Sequence, residues 1–168
     1  MHILITAYEI GVVVMIVIYH DVGGTHSSCV CANIHINKLP TDRFPEIEQI
    51  LSLPTFDKIT KTDYGRLIYI GTDEFGAKVY TLCRMRSKRF VIPAISDMYQ
   101  TFNGSMDGFF LADTSPTVNN LMRLGGLSSR GLNLVSFGRP IAAKAVIDAY
   151  PQMVDLVKTT KEYMRKHI

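Results

Sequence analysis

Residues 15–28 read MIVIYHDVGGTHSS, and this stretch decides the fold. From Val12 to Tyr19 the chain is apolar and rich in β-branched residues, and it then runs through His20-Asp21 to the pair Gly23-Gly24. Branched side chains fit a pleated strand, and an unbroken apolar run reads as a strand buried on both faces. The glycines mark a tight loop. Ser27–Lys38 reads as the next helix, with Cys29, Val30, Cys31, Ala32 and Ile34 suited to burial and Pro40 just beyond it. A buried strand, a glycine loop and a buried helix open a parallel α/β unit.

The rest of the chain continues the alternation. Ile47, Ile50 and Leu51 give Glu46–Ser52 a helical period, with Pro45 at its first turn. Arg66–Gly71 and Lys78–Arg84 read as strands joined by a turn, Thr72-Asp73-Glu74-Phe75-Gly76. Pro93–Phe102 is expected to be a helix stopped by Asn103-Gly104, and Gly108–Asp113 (GFFLAD) a short strand ending in a carboxylate. Pro116–Leu124 is expected to be a helix that ends at Gly125-Gly126, Asn133–Phe137 a strand, and Pro140–Tyr150 a helix that Pro151–Lys166 continues or restarts. The expected fold is a three-layer α/β open sheet, mainly parallel, Rossmann-like or P-loop-like, with an inserted antiparallel hairpin.

The composition bounds the function. With 168 residues, 47% hydrophobic and 20% charged, the chain suits one globular domain and not a disordered one. Residues 15–168 are expected to form that domain, with 1–14 an N-terminal extension or tail and Met15 a second candidate start. Residues 1–19 carry one formal charge, Glu9, but no Lys or Arg precedes the run, so neither a signal peptide nor a membrane span is expected. The odd count of three cysteines (Cys29, Cys31, Cys83) argues against a secreted disulfide framework and for the cytoplasm. His20, His26, Cys29, Cys31 and His35 crowd together, but their spacing matches no standard zinc pattern, so no metal site is assigned. A net charge of +3 without a long basic run gives no reason to expect nucleic acid.

Ligands of open α/β sheets bind outside the carboxyl ends of the strands. Three loops are expected there: His20–Ser28, Asp113–Pro116 and Ser136–Pro140. Each precedes a helix, whose N-terminus offers unpaired N–H groups and partial positive charge. On this reading Gly23 and Gly24 let an anion approach the backbone, and Thr25, Ser27, Ser28, Thr114, Ser115, Ser136 and Gly138 line it. Arg139 would neutralise the anion. A valine at Gly24 is expected to abolish ligand binding and leave the fold largely intact. His20 or His26, oriented by an acid such as Asp21, would act as general base or acid, and Asp113 would hold a magnesium-bound water or a substrate hydroxyl. Neither the P-loop spacing nor the G-x-G-x-x-G fingerprint is present.

YHDVGGTHSS, LIYIGTDEFGAKVY and ADTSPTVNNLMRLGGLSSRGLNLVSFGRPIAAKA occur in that order. Over Met15–Val157 they resemble an uncharacterised bacterial family, domain of unknown function 3189, from low-GC Gram-positive bacteria. The resemblance implies no established activity or catalytic residue.

The expected function is therefore binding of a phosphorylated or nucleotide-like small molecule, with phosphoryl transfer or phosphoester hydrolysis as candidate reactions. The alternative is a non-catalytic regulatory or interaction domain, using the hairpin tip Asp73-Glu74-Phe75 or the basic stretch Arg84–Arg89. A concave pocket at the strand ends would favour the first, and an exposed apolar edge on the hairpin the second.

Overall fold

In the computed structural model, residues 14–122 and 135–167 are described, and of 135–139 only the backbone. The elements run β1 (Ile16–Asp21), α1 (Ser27–His35), α2 (Ile47–Ser52), β2 (Leu67–Thr72), β3 (Lys78–Cys83), α3 (Lys88–Asn103), β4 (Phe109–Asp113) and α4 (Val135–Lys166). Short 3-10 turns cover Lys61–Asp63 and Ser115–Thr117.

The four strands form one open sheet in the order β2-β3-β1-β4. β1 is parallel to both β3 and β4, and β2 closes one edge antiparallel to β3. The register places His20 beside Leu82 and Asp113, and Asp21 beside Cys83. The carboxyl ends of three strands therefore lie side by side.

Strand alternation sorts the core into two layers. Val17, Tyr19, Val79, Phe110 and Ala112 pack with α1 and α4. Ile18, Leu82 and Phe109 face the other way, against Val91, Ile92, Ile95 and Tyr99 of α3. Helices thus cover both faces, as the alternating pattern implied. β1's connection leaves on the α1 face and β3's on the α3 face, so the loops part where β1 and β3 adjoin.

The helices depart from expectation at three of the prolines that read as starts, Pro93, Pro116 and Pro140. α3 begins at Lys88, five residues before Pro93, and Pro93 lies inside it. Its apolar stripe starts at Val91, and packing that partly buried stripe on the sheet outweighs the hydrogen bond that Pro93 cannot donate. Val135–Phe137, read as part of a strand, belong to α4, a single helix that holds both Pro140 and Pro151. Ala142, Ala143, Val146, Ala149, Tyr150, Met153, Val154 and Val157 are all buried at a helical period that runs through Pro151. Pro116 sits in a 3-10 turn, and helix resumes at 120–122. Residues 1–13, the other residues of the expected strand (Asn133, Leu134) and the turn Gly125-Gly126 lie outside the described residues. Among the described residues, no helix is long and apolar enough to cross a membrane.

Candidate functional site

The GGTHSS loop is held from within. Asp21, 5% exposed, accepts from the Gly24 N–H and the Ser27 hydroxyl, and from the Ser28 N–H at 3.4 Å. Its second loop partner is Thr114, whose hydroxyl lies 3.3 Å from Asp21 Oδ2 and 2.9 Å from Ser27 Oγ. The first and second predicted loops are therefore brought together around a carboxylate that belongs to the chain. Asp21 neutralises the α1 N-terminus, where the sequence reading placed a bound anion. It is also turned away from His20, so it does not orient that ring.

Gly24 explains itself by packing. Its φ is +66°, and a Cβ built there would stand 2.5 Å from Cys83 Cβ and 2.6 Å from the Cys83 backbone. The loop lies directly on the end of β3. Gly23 has no such neighbour within 3.4 Å, and only Asp21 and Thr25 approach at 3.9 Å. The close approach that Gly24 permits is to β3, which corrects the expectation that a valine there would spare the fold.

Thr25 donates to the Thr55 carbonyl at 2.8 Å. His26 Nε2 lies 3.2 Å from Asp57 Oδ1, with its ring 5.1 Å from Phe56. Both residues serve the segment after α2, and no bond joins His26 to the strand-end cluster among the described residues. Among the described residues Ser28 Oγ is buried without a partner, and Ser27 spends its hydroxyl on Asp21, so neither hydroxyl caps α1. His35 is sandwiched between Tyr19 (2.7 Å) and Asp73 (3.0 Å), all within the core. Burial pushes the Cys29 thiol up to about 12 and raises Cys31 as well, which keeps both protonated and poor metal ligands.

The strand-end cluster lies on the α3 face. His20 is the last residue but one of β1, Asp113 closes β4, and Arg84 follows β3, each one a polar residue near the end of an apolar strand. Arg84 is 6% exposed. Its Nε–H donates to His20 Nδ1 at 3.0 Å, and one Nη donates to Asp113 at 3.2 and 3.3 Å and to Ser115 Oγ at 2.7 Å. The other Nη donates to the Met85 carbonyl at 3.3 Å. Lys88, from the first turn of α3, donates to Asp113 Oδ2 at 2.6 Å, and the Ser115 N–H donates to Oδ1 at 2.9 Å. Ser115 therefore serves this network instead of capping a helix.

Burial and the neighbouring charges together set the protonation states. Burial pushes His20 down to about 4, with Asp113 opposing and Arg84 and Lys88 assisting. Burial alone would raise the Asp113 carboxyl, but hydrogen bonds from Lys88 and Ser115 hold it well below the usual carboxylate range. Because Arg84 donates to Nδ1, neutral His20 carries its proton on Nε2. In this arrangement His20 offers an N–H to a ligand, as a donor and not as a base. Asp113 is flanked by two cations that would compete with a magnesium ion for its oxygens.

A pH dependence follows. Unfolded His20 takes up a proton near 6.5, whereas the folded ring resists until about 4. Stability is therefore full above about pH 6.5 and falls by about 3 kcal/mol as pH drops towards 4. Burial also lowers His35, which adds to the loss in the same direction. His20→Asn keeps an acceptor for Arg84 and cannot titrate, so denaturant midpoints measured from pH 7.5 to 4 should fall less steeply in the variant. An unchanged slope would remove His20 from the acid response.

Arg84 and Lys88 are the site residues that the sequence does not single out, since both fall within one basic stretch, Arg84–Arg89. The side chains of Ser136, Gly138 and Arg139 lie outside the described residues, and their backbone belongs to the first turns of α4 instead of to a loop.

The profile described as Protein of unknown function (DUF3189) matches residues 16–162. The chain belongs to that family. The match begins at β1 and extends into α4, so the DUF3189 region holds both the GGTHSS loop and the strand-end cluster. No curated protein and no solved structure matches the chain.

Proposed function

We propose that this DUF3189 member binds a small anionic molecule, of the phosphorylated or nucleotide-like class, on the α3 side of the strand carboxyl ends. The observation that carries the reading is the convergence of His20, Arg84, Lys88, Asp113 and Ser115 from three strand ends and one helix start. Such a buried charged network, at the place where a doubly wound sheet parts its loops, is a functional-site signature. The order β2-β3-β1-β4 supports the Rossmann-like or P-loop-like reading of the sheet.

On this reading the ligand does not enter the GGTHSS loop, because Asp21 already takes its donors. The ligand's anion would compete with Asp113 for Lys88, which is half exposed, and for Arg84. The Nε2–H of His20 would add a neutral donor. Phosphoryl transfer or phosphoester hydrolysis remains the chemistry to assay first, in a cytoplasmic protein, with and without magnesium.

The test is thermal stability of the full chain against phosphate, sulfate, nucleotides and phosphosugars. A ligand at 100 times its dissociation constant adds about 2.7 kcal/mol, which moves the melting point by several degrees. Lys88→Ala, a change at an exposed side chain, is expected to weaken binding about tenfold by removing one charged hydrogen bond. Equal shifts in both proteins would take Lys88 out of the site, and no shift with any ligand would overturn the reading.

One observation favours the partner-binding alternative. Leu67 and Tyr69 on β2 are 44% and 54% exposed, which leaves an apolar edge on the hairpin. The hairpin tip itself is occupied within the chain. Asp73 is buried against His35, Glu74 pairs with Lys161 at 2.8 Å, and Phe75 lies under the Arg165 guanidinium at 4.8 Å.

A further inference from the structure

β2 forms an edge of the sheet, and its sequence LIYIGT contains no charge and no proline. Edge strands present a row of backbone donors and acceptors, and proteins blunt them with lysine, proline or a covering element. Here the only device on the strand is an irregularity in its pairing with β3, between Tyr69 and Gly71. Among the described residues, no backbone hydrogen bond reaches the outer side of Leu67–Thr72. α3 packs over Ile18, Leu82 and Phe109, which places it towards the middle of the sheet, and among the described residues it leaves Leu67 and Tyr69 of the β2 strip exposed. Tyr69 stands on that strip against Tyr80, with ring centroids 5.4 Å apart, and Leu67 follows two residues away on the same face.

We propose that β2 pairs with β2 of a second copy of this chain, antiparallel about a two-fold axis near Tyr69, so that two four-stranded sheets join into one. The occupant is a second copy because the edge is complementary to itself. An isologous contact requires each patch to match its own rotated image. The strand is apolar at its centre, with exposed Arg66 before it and Glu74 shortly after it. In an antiparallel pair, Arg66 of each copy stands opposite Thr72 of the other, and Glu74, which pairs with Lys161 of its own chain, lies just beyond, so no like charges meet across the apolar centre. The pairing supplies the missing backbone hydrogen bonds and covers Leu67 and Tyr69 from both copies.

A contact built on one short strand from each copy lies at the small end of stable interfaces, so the dimer should be concentration-dependent. Sedimentation equilibrium of the full chain between about 1 and 300 µM, the range of such weak interfaces, should show a monomer–dimer equilibrium. Tyr69→Lys places a charge on the exposed strip and should give a monomer throughout, with a melting point within a few degrees of the parent at low concentration. Tyr69→Cys should form a disulfide-linked dimer on oxidation, since the native cysteines are buried, while Phe102→Cys, exposed on α3, should not. A parent protein that stays monomeric overturns the proposal, as does a dimer that survives Tyr69→Lys or that cross-links through residue 102 and not through residue 69.

Discussion

Gly24→Val is expected to lower stability by about 4 kcal/mol, most of what a marginal domain possesses. Two costs add. A left-handed φ costs a non-glycine residue about 1–2 kcal/mol, and more for a β-branched one. The new Cβ would also meet Cys83 at 2.5 Å, and two of the atoms it meets are backbone. Backbone in the parallel pair β1–β3 cannot swing aside as a long side chain can, so overpacking adds about 1–3 kcal/mol. Moving the loop instead would pull the Gly24 N–H from Asp21 and disturb the Asp21–Ser27–Thr114 network. Gly23→Ala is the control, since its Cβ meets nothing closer than 3.9 Å, and its cost should stay within about 1 kcal/mol, the ordinary range for a glycine replaced without strain. Urea denaturation followed by circular dichroism measures both. Equal midpoints for the two variants would mean that Gly24 does not rest on β3.

The same glycine shows what the sequence could and could not reveal. Gly23-Gly24 reads as a tight loop from the chain alone, because a β-branched run precedes it and small residues follow. Which atoms come close to Gly24 depends on Cys83, almost sixty residues away in the chain, and on β3 lying parallel to β1. That pairing is non-local, and no local pattern announces it. Arg84 was hidden for the same reason. Its signal was present, however: KVYTLC followed by Arg84 is an apolar strand ending in a charge, just as FFLA precedes Asp113 and IVIY precedes His20. Counting Arg84 with Arg86, Lys88 and Arg89 masked an alternation that places it with Tyr80 and Leu82 on the α3 face. The prolines misled in the opposite direction. Proline at a first helical turn is common, yet Pro93 and Pro140 each lie inside a helix that begins five residues earlier, while α4 continues through Pro151, one of the two outcomes expected there. Through Pro151 burial of the stripe decides, since buried positions run from Ala142 to Val157, and the local cost of proline is absorbed. What was legible was the order of the β-α elements and the two loops that meet around Asp21 and Thr114.

Arg84→Ala is expected to cost about 3 kcal/mol and to change what the strand ends can bind. Removing one partner of a buried charged pair costs about 3–5 kcal/mol, because the other is left uncompensated. Asp113 keeps Lys88 and the Ser115 N–H and is partly open to solvent, which places the loss at the lower end. His20 Nδ1 loses its donor inside the core, and the ring then becomes free to change tautomer. Since Arg84 is one of the charges that hold His20 down, the imidazole should titrate closer to 6.5 in the variant. Two measurements separate the effects. Denaturation at pH 7.5 reads the lost network, and NMR titration of the His20 ring reads the field of the guanidinium. Arg84→Lys restores the charge but not the planar fork, so it should recover much of the His20 shift and little of the stability. If Arg84→Lys instead recovered the stability in full, point charge alone would hold the strand ends together, and the spread of guanidinium donors over His20, Asp113 and Ser115 would have no role. If neither variant moved the His20 titration, Arg84 would not set its protonation, and His20 would regain the freedom to act as a base.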